Sequence, residues 1–295
     1  MQNGKDPDCK FFQNIARQGH YSGEGTPSKQ GIYVVSADGS FLSSINSLNA
    51  NAVIKTLKTG LARFEQLDES AKKIADEKQV ESVNRFENRE PKNGLILAVY
   101  SRDLPEDLKP ESDRATRWNR DTAWFSKKEL LSLVPAAPVV GNTFKLPQVF
   151  TERMARFHLV DTINGQTDSF RSVEVAGSKL TGKITRVNVD EVEFQISGNS
   201  KSDSNSERYG RTPRGVVTNV WGTAIYSKSK QSFSKLDFVA VGQRWGRTRF
   251  NDRRRGPKTN AVGFAVTLAP SDEPTNVPGL FYEYDVEWKN RPVGE

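Results

Sequence analysis

The feature that most constrains the fold is the alternation of apolar and polar residues, in short runs, from about residue 145 to the end of the sequence. A period of two places the apolar side chains on one face of a β-strand, and Gly, Asn and Ser turns between runs favour antiparallel neighbours. The pattern predicts an antiparallel β-barrel or sandwich over 145–295. The expected strands are 156–161, 180–187, 192–197, 216–226, 233–241, 262–268 and 281–288.

One tract within this region interrupts the alternation. SGNSKSDSNSERYGRTPRG, residues 197–215, is low in complexity and rich in Ser, Asn and Gly. Such a composition is typical of a loop, so we expect a mobile connection between two strands there.

The first part of the chain has a different organisation. Apolar residues at helical spacing predict a helix over 9–18, with Asp8 as its N-cap, and a second helix over 51–67 that the preceding asparagine can cap. Between the helices, an Asp-Gly turn predicts a β-hairpin with strands at 32–35 and 41–45.

The middle of the chain connects these two regions. Residues 68–88 are highly charged and predict a connecting helix, whereas 94–105 predict a buried strand. The interval 106–128 carries two tryptophans with little periodicity, and a short helix is expected at 127–134. These boundaries divide the chain into the N-terminal region 1–67, the connector 68–93, the strand and Trp-bearing region 94–144, and the β-rich region 145–295.

The N-terminal region resembles part of the thioredoxin fold. Cys9 stands where that family places a cysteine at a helix N-terminus, a position at which the helix dipole lowers the thiol pKa. Thr26-Pro27 stands in the place of the family's proline loop, and the predicted hairpin and closing helix follow. The resemblance covers 1–67 and implies an incomplete thioredoxin-like module within an α+β protein.

The sequence departs from the thioredoxin pattern where the chemistry of that family resides. Asp6 replaces the first cysteine of the pair, and Cys9 is the only cysteine in the chain. Dithiol exchange requires two sulfurs, so an intramolecular dithiol oxidoreductase is excluded. A single-thiol reaction with a peroxide or a mixed disulfide remains an alternative, although Asp6 and Asp8 would raise the pKa of the thiol.

Four longer runs resemble a group of exported bacterial proteins that share this truncated thioredoxin-like start. The runs are GHYSGEGTPSKQGIY, WNRDTAWFSKKE, ARFHLVDTINGQT and VAVGQRWGRTRFN. The resemblance implies an extracytoplasmic location, periplasmic or secreted, with an N-terminal signal removed. It implies no mechanism.

The composition limits the classes of partner. The formal net charge is +7, which is compatible with an anionic partner but is also common among ordinary soluble proteins. Apolar runs stay well short of the roughly 20 residues that a membrane helix needs, so no transmembrane segment is expected. One cysteine excludes a cysteine-rich zinc site, and motifs for a metal or another cofactor are absent from the sequence, so none is expected.

Polar residues close to apolar runs are candidates for a cleft. Strand alternation would place Arg156 and His158 on one face, with Asp161 close by in the sequence. Asp103 follows a buried strand, and Asp121 lies between two tryptophans, so both are candidate acids. A structural histidine and surface carboxylates are the alternative interpretation.

The most conspicuous charge feature is the tract RWGRTRFNDRRRGPK at 244–258, called here the basic tract. Basic residues interleaved with aromatic ones are typical of surfaces that bind nucleic acids or anionic polysaccharides. A solvated loop between two strands is the alternative. The candidate binding residues are Arg244, Trp245, Arg247, Arg249, Arg253, Arg254, Arg255 and Lys258.

Three functional hypotheses result. The leading one is an exported binding or structural module without catalytic turnover, which binds an anionic polymer or another extracytoplasmic protein through the basic tract. The second is a single-thiol enzyme centred on Cys9. The third is nucleic-acid binding through the basic tract, which fits export least well.

Overall fold

The computed structural model of the chain describes residues 7–21, 29–73, 89–104, 117–204, 213–248, 250–251, 253, 259–270 and 277–284. The chain divides into two compact units, Met1–Asn84 and Arg85–Glu295, called here the N-terminal unit and the main unit. Each unit combines helices with antiparallel strands, so the predicted α+β class is confirmed.

The N-terminal unit consists of a β-hairpin and two helices. Helix α1 (Pro7–Arg17) precedes β1 (Ile32–Val35) and β2 (Phe41–Ile45), which pair antiparallel, and α2 (Ala50–Glu65) follows. The predicted hairpin strands are confirmed. Asn49 caps α2, since its side chain accepts a hydrogen bond from the backbone amide three residues further on.

Helix α2 packs on the hairpin along the side that carries Gly60, where Val53 and Phe64 are its partly buried large apolar residues. Gly60 is buried and lies directly against Val34 of β1. Ile54, Leu57 and Leu61, whose spacing predicts a buried stripe, are about half exposed. The close approach of helix and hairpin therefore depends on a residue without a side chain.

Gly60→Ala is expected to destabilise the N-terminal unit. A Cβ at this position would lie 2.7 Å from Val34 Cγ1 and 2.8 Å from Ser43 Oγ, so the helix or the strand would have to move. At an exposed helical position the same substitution would stabilise by about 1 kcal/mol. When hydrogen exchange is followed at increasing urea, the α2 amides of Gly60→Ala should lose their protection at a lower urea concentration. Thr59→Ala, at an exposed neighbouring position, is the control. An unchanged midpoint would show that α2 does not depend on this contact.

The main unit is built on one large antiparallel sheet, called here the main sheet. Its strands are β3 (Leu95–Leu104), β4 (Trp118–Phe125), β5 (Thr143–Lys145), β6 (Lys179–Val187), β7 (Glu191–Ser204), β8 (Arg214–Ser227), β9 (Ser232–Trp245) and β10 (Thr259–Leu268). In the described residues the order across the sheet is β4-β3-β10-β9-β8-β7-β6-β5. Strands β6 to β10 form a meander, and β10 then pairs with β3.

The main sheet is open, with β4 and β5 at its edges. The prediction of antiparallel strands is confirmed, but a closed barrel or a second facing sheet is not found in the described residues. Helices α3 (Lys127–Ser132) and α4 (Gln148–Arg153) and a π-helix (Met154–His158) supply the layer that a second sheet would have provided. Leu130, Phe150 and Met154 of this layer join the same core cluster as the strands, whereas Ala155 and Phe157 of the π-helix belong to a second cluster.

One face of the main sheet carries the core, and alternate residues point to the opposite face, called here the outer face. The core includes Leu97, Phe194, Val220, Phe238 and Phe264 from five strands, together with Leu130, Phe150 and Met154 from the helical layer. A second cluster contains Trp124, Phe157, Phe170, Phe281 and Tyr284, and the partly buried Ile96 of β3 packs against it.

Three predictions of local structure are wrong. Helix α1 begins at Pro7, so Asp8 lies inside it and is not the N-cap. The expected strand at 156–161 is replaced by the π-helix and the residues after it, because both Phe157 and His158 are buried there and strand alternation would have exposed one of them. The expected loop at 197–215 begins only after Ser204, since β7 continues to that residue.

The extension of β7 has a physical cause that composition does not reveal. Ser202 and Ser204 are buried, and their hydroxyls donate to the Ala155 carbonyl and to Glu174 at 2.9 Å in both cases. The serine hydroxyls that β7 directs toward the core are therefore hydrogen-bonded by polar groups there. The remainder of the tract, 205–212, lies outside the described residues.

Other segments also differ from expectation. The interval without periodicity contains strand β4, and residues 281–283 form a 3₁₀-helix where a strand was expected. Residues 69–73 are turns, and the rest of the expected connecting helix, 74–88, lies outside the described residues. None of the helices in the described parts of the chain is long and apolar enough to cross a membrane.

Candidate functional site

A buried ion cluster lies where β3 ends. Asp103 of β3 and Asp161, shortly after the π-helix, both bind Arg253. The guanidinium donates to the two oxygens of Asp103 at 2.6 and 2.9 Å and to those of Asp161 at 2.6 and 2.9 Å. The three side chains are only 6–10% exposed. Paired hydrogen bonds to a carboxylate are the strongest arrangement that a guanidinium adopts.

Arg244 of β9 and Asn251 complete this cluster. Arg244 is 1% exposed, its Nε lies 3.8 Å from Asp161 Oδ2, and its Nη1 donates to the Gly246 carbonyl at 3.0 Å. Asn251 Nδ2 donates to Asp161 Oδ2 at 3.2 Å. Two guanidinium groups thus balance two carboxylates, and we call the four charged residues the arginine–aspartate cluster.

Burial and charge act in opposite directions on the two guanidinium groups. Burial alone would lower the pKa of Arg253, but hydrogen bonds and charges from Asp161 and Asp103 outweigh it, so its pKa is raised. Burial and the charge of Arg253 lower the pKa of Arg244, and the carboxylates offset only part of that effect. A guanidinium stays charged throughout the physiological range. The cluster therefore acts as a permanent clamp between β3, β9 and the basic tract.

Arg253→Ala is expected to destabilise the main unit by about 3 kcal/mol or more, because two buried carboxylates lose their partner. Arg102→Ala, at an exposed position on the same strand as Asp103, is the control and should change stability by less than about 0.5 kcal/mol. Urea unfolding of both variants measures the difference. Equal midpoints would show that the cluster makes no net contribution.

A second buried polar array contains two of the sequence candidates. His158 Nδ1 lies 2.8 Å from Asp121 Oδ2, and His158 Nε2 lies 2.6 Å from the Tyr284 hydroxyl. Because a carboxylate accepts hydrogen bonds, we place the imidazole proton on Nδ1 and the tyrosine proton toward Nε2. Asp121 Oδ1 accepts from the Gly279 amide at 2.8 Å, which ties the 277–284 segment to β4.

This array joins β4, the π-helix and the 277–284 segment. His158 is 2% exposed and Tyr284 is 1% exposed, so both rings are buried. Burial raises the pKa of Tyr284 well above its usual range, so the phenol stays protonated and keeps donating. Both ring nitrogens of His158 are thus hydrogen-bonded within the chain, as a structural histidine requires.

Arg153 and Glu129 form a third polar link, which the sequence did not indicate. Arg153 of α4 donates to both oxygens of Glu129 at 2.8 and 2.7 Å and to the Trp124 carbonyl at 3.1 Å. Glu129 also accepts from the Ser126 amide, which makes it the second half of the α3 capping box. Burial would raise the pKa of Glu129, but Arg153 and Ser126 together lower it.

Glu129→Gln is expected to make the free energy of unfolding depend less steeply on pH below neutrality. The pKa of Glu129 is lower in the folded chain than in the unfolded chain, so its ionisation stabilises the fold above the unfolded-state pKa. That stabilisation is lost as the pH falls through the folded-state pKa. Urea midpoints from pH 6 downward should therefore decline less steeply for Glu129→Gln than for the unmodified chain. Parallel declines would contradict the link, and Glu191→Gln of β7, whose side chain is 33% exposed, should leave the slope closer to that of the unmodified chain.

The other sequence candidates do not join one site. Arg156 donates to the Phe170 carbonyl at 2.9 Å and lies over the Phe157 ring. Trp245 packs on Gly215 of the neighbouring strand, and Arg247 is exposed. Cys9 is half-buried in the first turn of α1, and thiol chemistry there stays a prediction. Arg249, Arg254, Arg255 and Lys258 lie outside the described residues.

The arginine–aspartate cluster changes the interpretation of the basic tract. Arg244 and Arg253, which a solvated basic loop would expose, are buried against carboxylates of the same chain. They are positioning residues of the fold, so an incoming anion would have to displace Asp103 or Asp161 to reach them. Of the tract's described basic residues, Arg247 is the exposed one.

The outer face of the main sheet offers a more accessible surface. One row of directly paired residues crosses seven strands from β6 to β4, and Trp221 at its centre is 53% exposed. The row consists of Thr181, Ser197, Trp221, Val239, Ala265, Tyr100 and Arg120. At about 4.8 Å per strand, the row spans about 29 Å.

A second row lies beside the first and ends in another exposed tryptophan. It consists of Lys179, Asn199, Asn219, Val241, Gly263, Arg102 and Trp118. Trp118 is 62% exposed and lies 6.1 Å from Tyr100 between ring centroids, while the Arg120 guanidinium lies over the Tyr100 ring. The two rows together contain three cations and three aromatic rings, and they contain no carboxylate.

Sequence reasoning missed this surface although a signal was present. Within the predicted strand 216–226, alternation places Val220 in the core and Trp221 on the polar side. A tryptophan on the solvent face of a strand is the sign that could have been followed. The rows themselves depend on the register of seven strands, which alternation does not determine.

Comparison of the chain with models of protein families, with curated proteins and with solved structures gave no match. In the described part of the chain, no group of three or more His, Cys, Asp and Glu side chains is arranged to hold a metal ion.

Proposed function

We propose that the main unit is a binding module for an extended anionic polymer, and that the polymer lies across the strands on the outer face. The observation that carries the proposal is the pair of cross-strand rows, which combine cations with three aromatic rings, two of them exposed tryptophans, and which contain no carboxylate. This proposal keeps the binding hypothesis of the sequence but moves the surface from the basic tract to the sheet.

The charges of the two rows suit a long ligand. Lys179 lies at one end, with the exposed Lys183 four residues along the same strand, and Arg102 and Arg120 lie at the other end. A compact anion could reach one end only. A polymer that crosses six strand spacings, about 29 Å, can meet both ends at once.

The aromatic rings between these ends supply the apolar contact. Trp221 and Tyr100 are three strands apart in one row, about 14 Å, with Val239 and the small residue Ala265 between them. Small side chains between two rings leave the rings as raised platforms. Ring-shaped units of a polymer can stack on such platforms while their charged groups reach the flanking cations.

The extracytoplasmic location is part of the same proposal. It rests on the resemblance of four sequence runs to exported bacterial proteins. Cell-surface and matrix polymers that carry acidic groups are abundant outside the cytoplasm, so the location and the ligand class are consistent with each other.

Trp221→Ala is expected to weaken binding of dextran sulfate by about tenfold, because a central exposed tryptophan commonly dominates a binding surface. Titration calorimetry with dextran sulfate measures the affinity, and uncharged dextran shows how much of it depends on charge. Val189→Ala, at an exposed apolar residue in the β6–β7 turn, is the matched control. Equal affinities of Trp221→Ala and Val189→Ala would contradict binding on the outer face.

The charge contribution has its own check within the same experiment. Affinity should fall steeply between about 50 and 200 mM salt, as it does when bound counterions are released from a polyanion. Lys179→Ser should reduce that salt dependence, whereas Lys230→Ser in the exposed β8–β9 turn should leave it unchanged.

A further inference from the structure

We infer that the polymer is a polysaccharide and that one of its sugar rings occupies a groove beside Trp221. This inference rests on the proposed function and deepens it. The groove runs between the Trp221 row and a third row on its other side, whose members include Thr223 and Asp237.

The groove combines one aromatic wall with polar groups. It is lined by Trp221, Val239 and Ala265 from the first row, and by Thr223, Asp237 and Thr267 on the other side. The carboxylate of Asp237 is held in place, since its Oδ1 accepts from the Thr267 hydroxyl at 2.7 Å. Lys235, two residues away on the same strand, lies 3.9 Å from its Oδ2.

This arrangement is complementary to a pyranose. A sugar ring has an apolar face, which can stack on an indole, and a rim of hydroxyls, which can donate to a carboxylate and exchange hydrogen bonds with threonine hydroxyls. Hydrogen bonds from neutral donors to an ionised carboxylate are stronger than those between neutral groups. Asp237 can thus accept hydrogen bonds from the hydroxyls of a sugar ring whose apolar face stacks on Trp221.

The same groove is unfavourable for nucleic acid. A base could stack on Trp221 equally well, but a phosphate accompanies every nucleotide and would lie close to the Asp237 carboxylate. Like charges at short range lower affinity. A polysaccharide can instead present a neutral rim at the groove and direct its acidic groups to Lys179, Lys183 and the arginines at the other end.

Asp237→Asn separates the two ligand classes, because the sign of its effect differs between them. Binding of hyaluronate, in which an uncharged, hydroxyl-bearing sugar ring alternates with a carboxylate-bearing one, should weaken by about tenfold, the typical loss when one charge-assisted hydrogen bond is removed. Binding of single-stranded oligo(dT) should stay unchanged or strengthen, because a repulsive charge is gone. Asp203→Asn on β7 is the matched control: it makes the same charge change, and its side chain lies 4.0 Å from Lys201 in an equivalent pair two residues apart.

A second variant guards against an effect on folding. Thr267→Val removes the hydroxyl that orients Asp237 but leaves all charges in place, and it should also weaken hyaluronate binding. Circular dichroism and urea midpoints of both variants establish that the sheet is intact.

The outcomes distinguish the inference from the function on which it rests. If Asp237→Asn weakens hyaluronate binding no more than Asp203→Asn does, while Trp221→Ala still weakens it, the binding face stands and the sugar groove is wrong. If oligo(dT) binds through Trp221 more tightly than hyaluronate, the ligand is nucleic acid and the inference is overturned. If neither polymer depends on Trp221, both proposals fail.

Discussion

The bidentate pairing of Arg253 with Asp103 and Asp161 is the interaction on which the architecture of the main unit depends. It joins the end of β3, the segment after the π-helix and the basic tract, which are far apart in the sequence. A buried guanidinium with two carboxylates tolerates no loss of a member, because each remaining charge would be left in a poorly solvated environment. What looks in the sequence like an exposed patch of positive charge is partly an internal clamp.

That clamp and the apolar core occupy the same side of the main sheet, and this leaves the outer face available for another role. Alternation along each strand creates both faces at once: Val220 and Phe238 fill the core while Trp221 and Val239 point away from it. The proposed polymer site and the sugar groove thus need no dedicated loop. They need only the register that aligns residues of seven strands into rows.

The sequence predicted regular elements well where one periodicity was sufficient. The hairpin strands and β10 follow from alternation, and Asn49 follows from capping chemistry. Prediction from the sequence failed where polar groups are buried together, as with Ser202 of β7 and His158 of the π-helix. Burial of a polar residue is favourable only when a distant partner satisfies it, and the identity of that partner is not a local property.

The sequence by itself determined the α+β class, the antiparallel pairing of the β-rich region and the exclusion of dithiol chemistry, because these follow from periodicity and from one cysteine. Tertiary structure alone decided that the sheet stays open, that Gly60 and not the leucine stripe holds α2 to its hairpin, and that Arg244 and Arg253 are buried. Each of these depends on which distant residues meet. Strand register and charge pairing are relations between parts of the chain, and they form only when the chain folds.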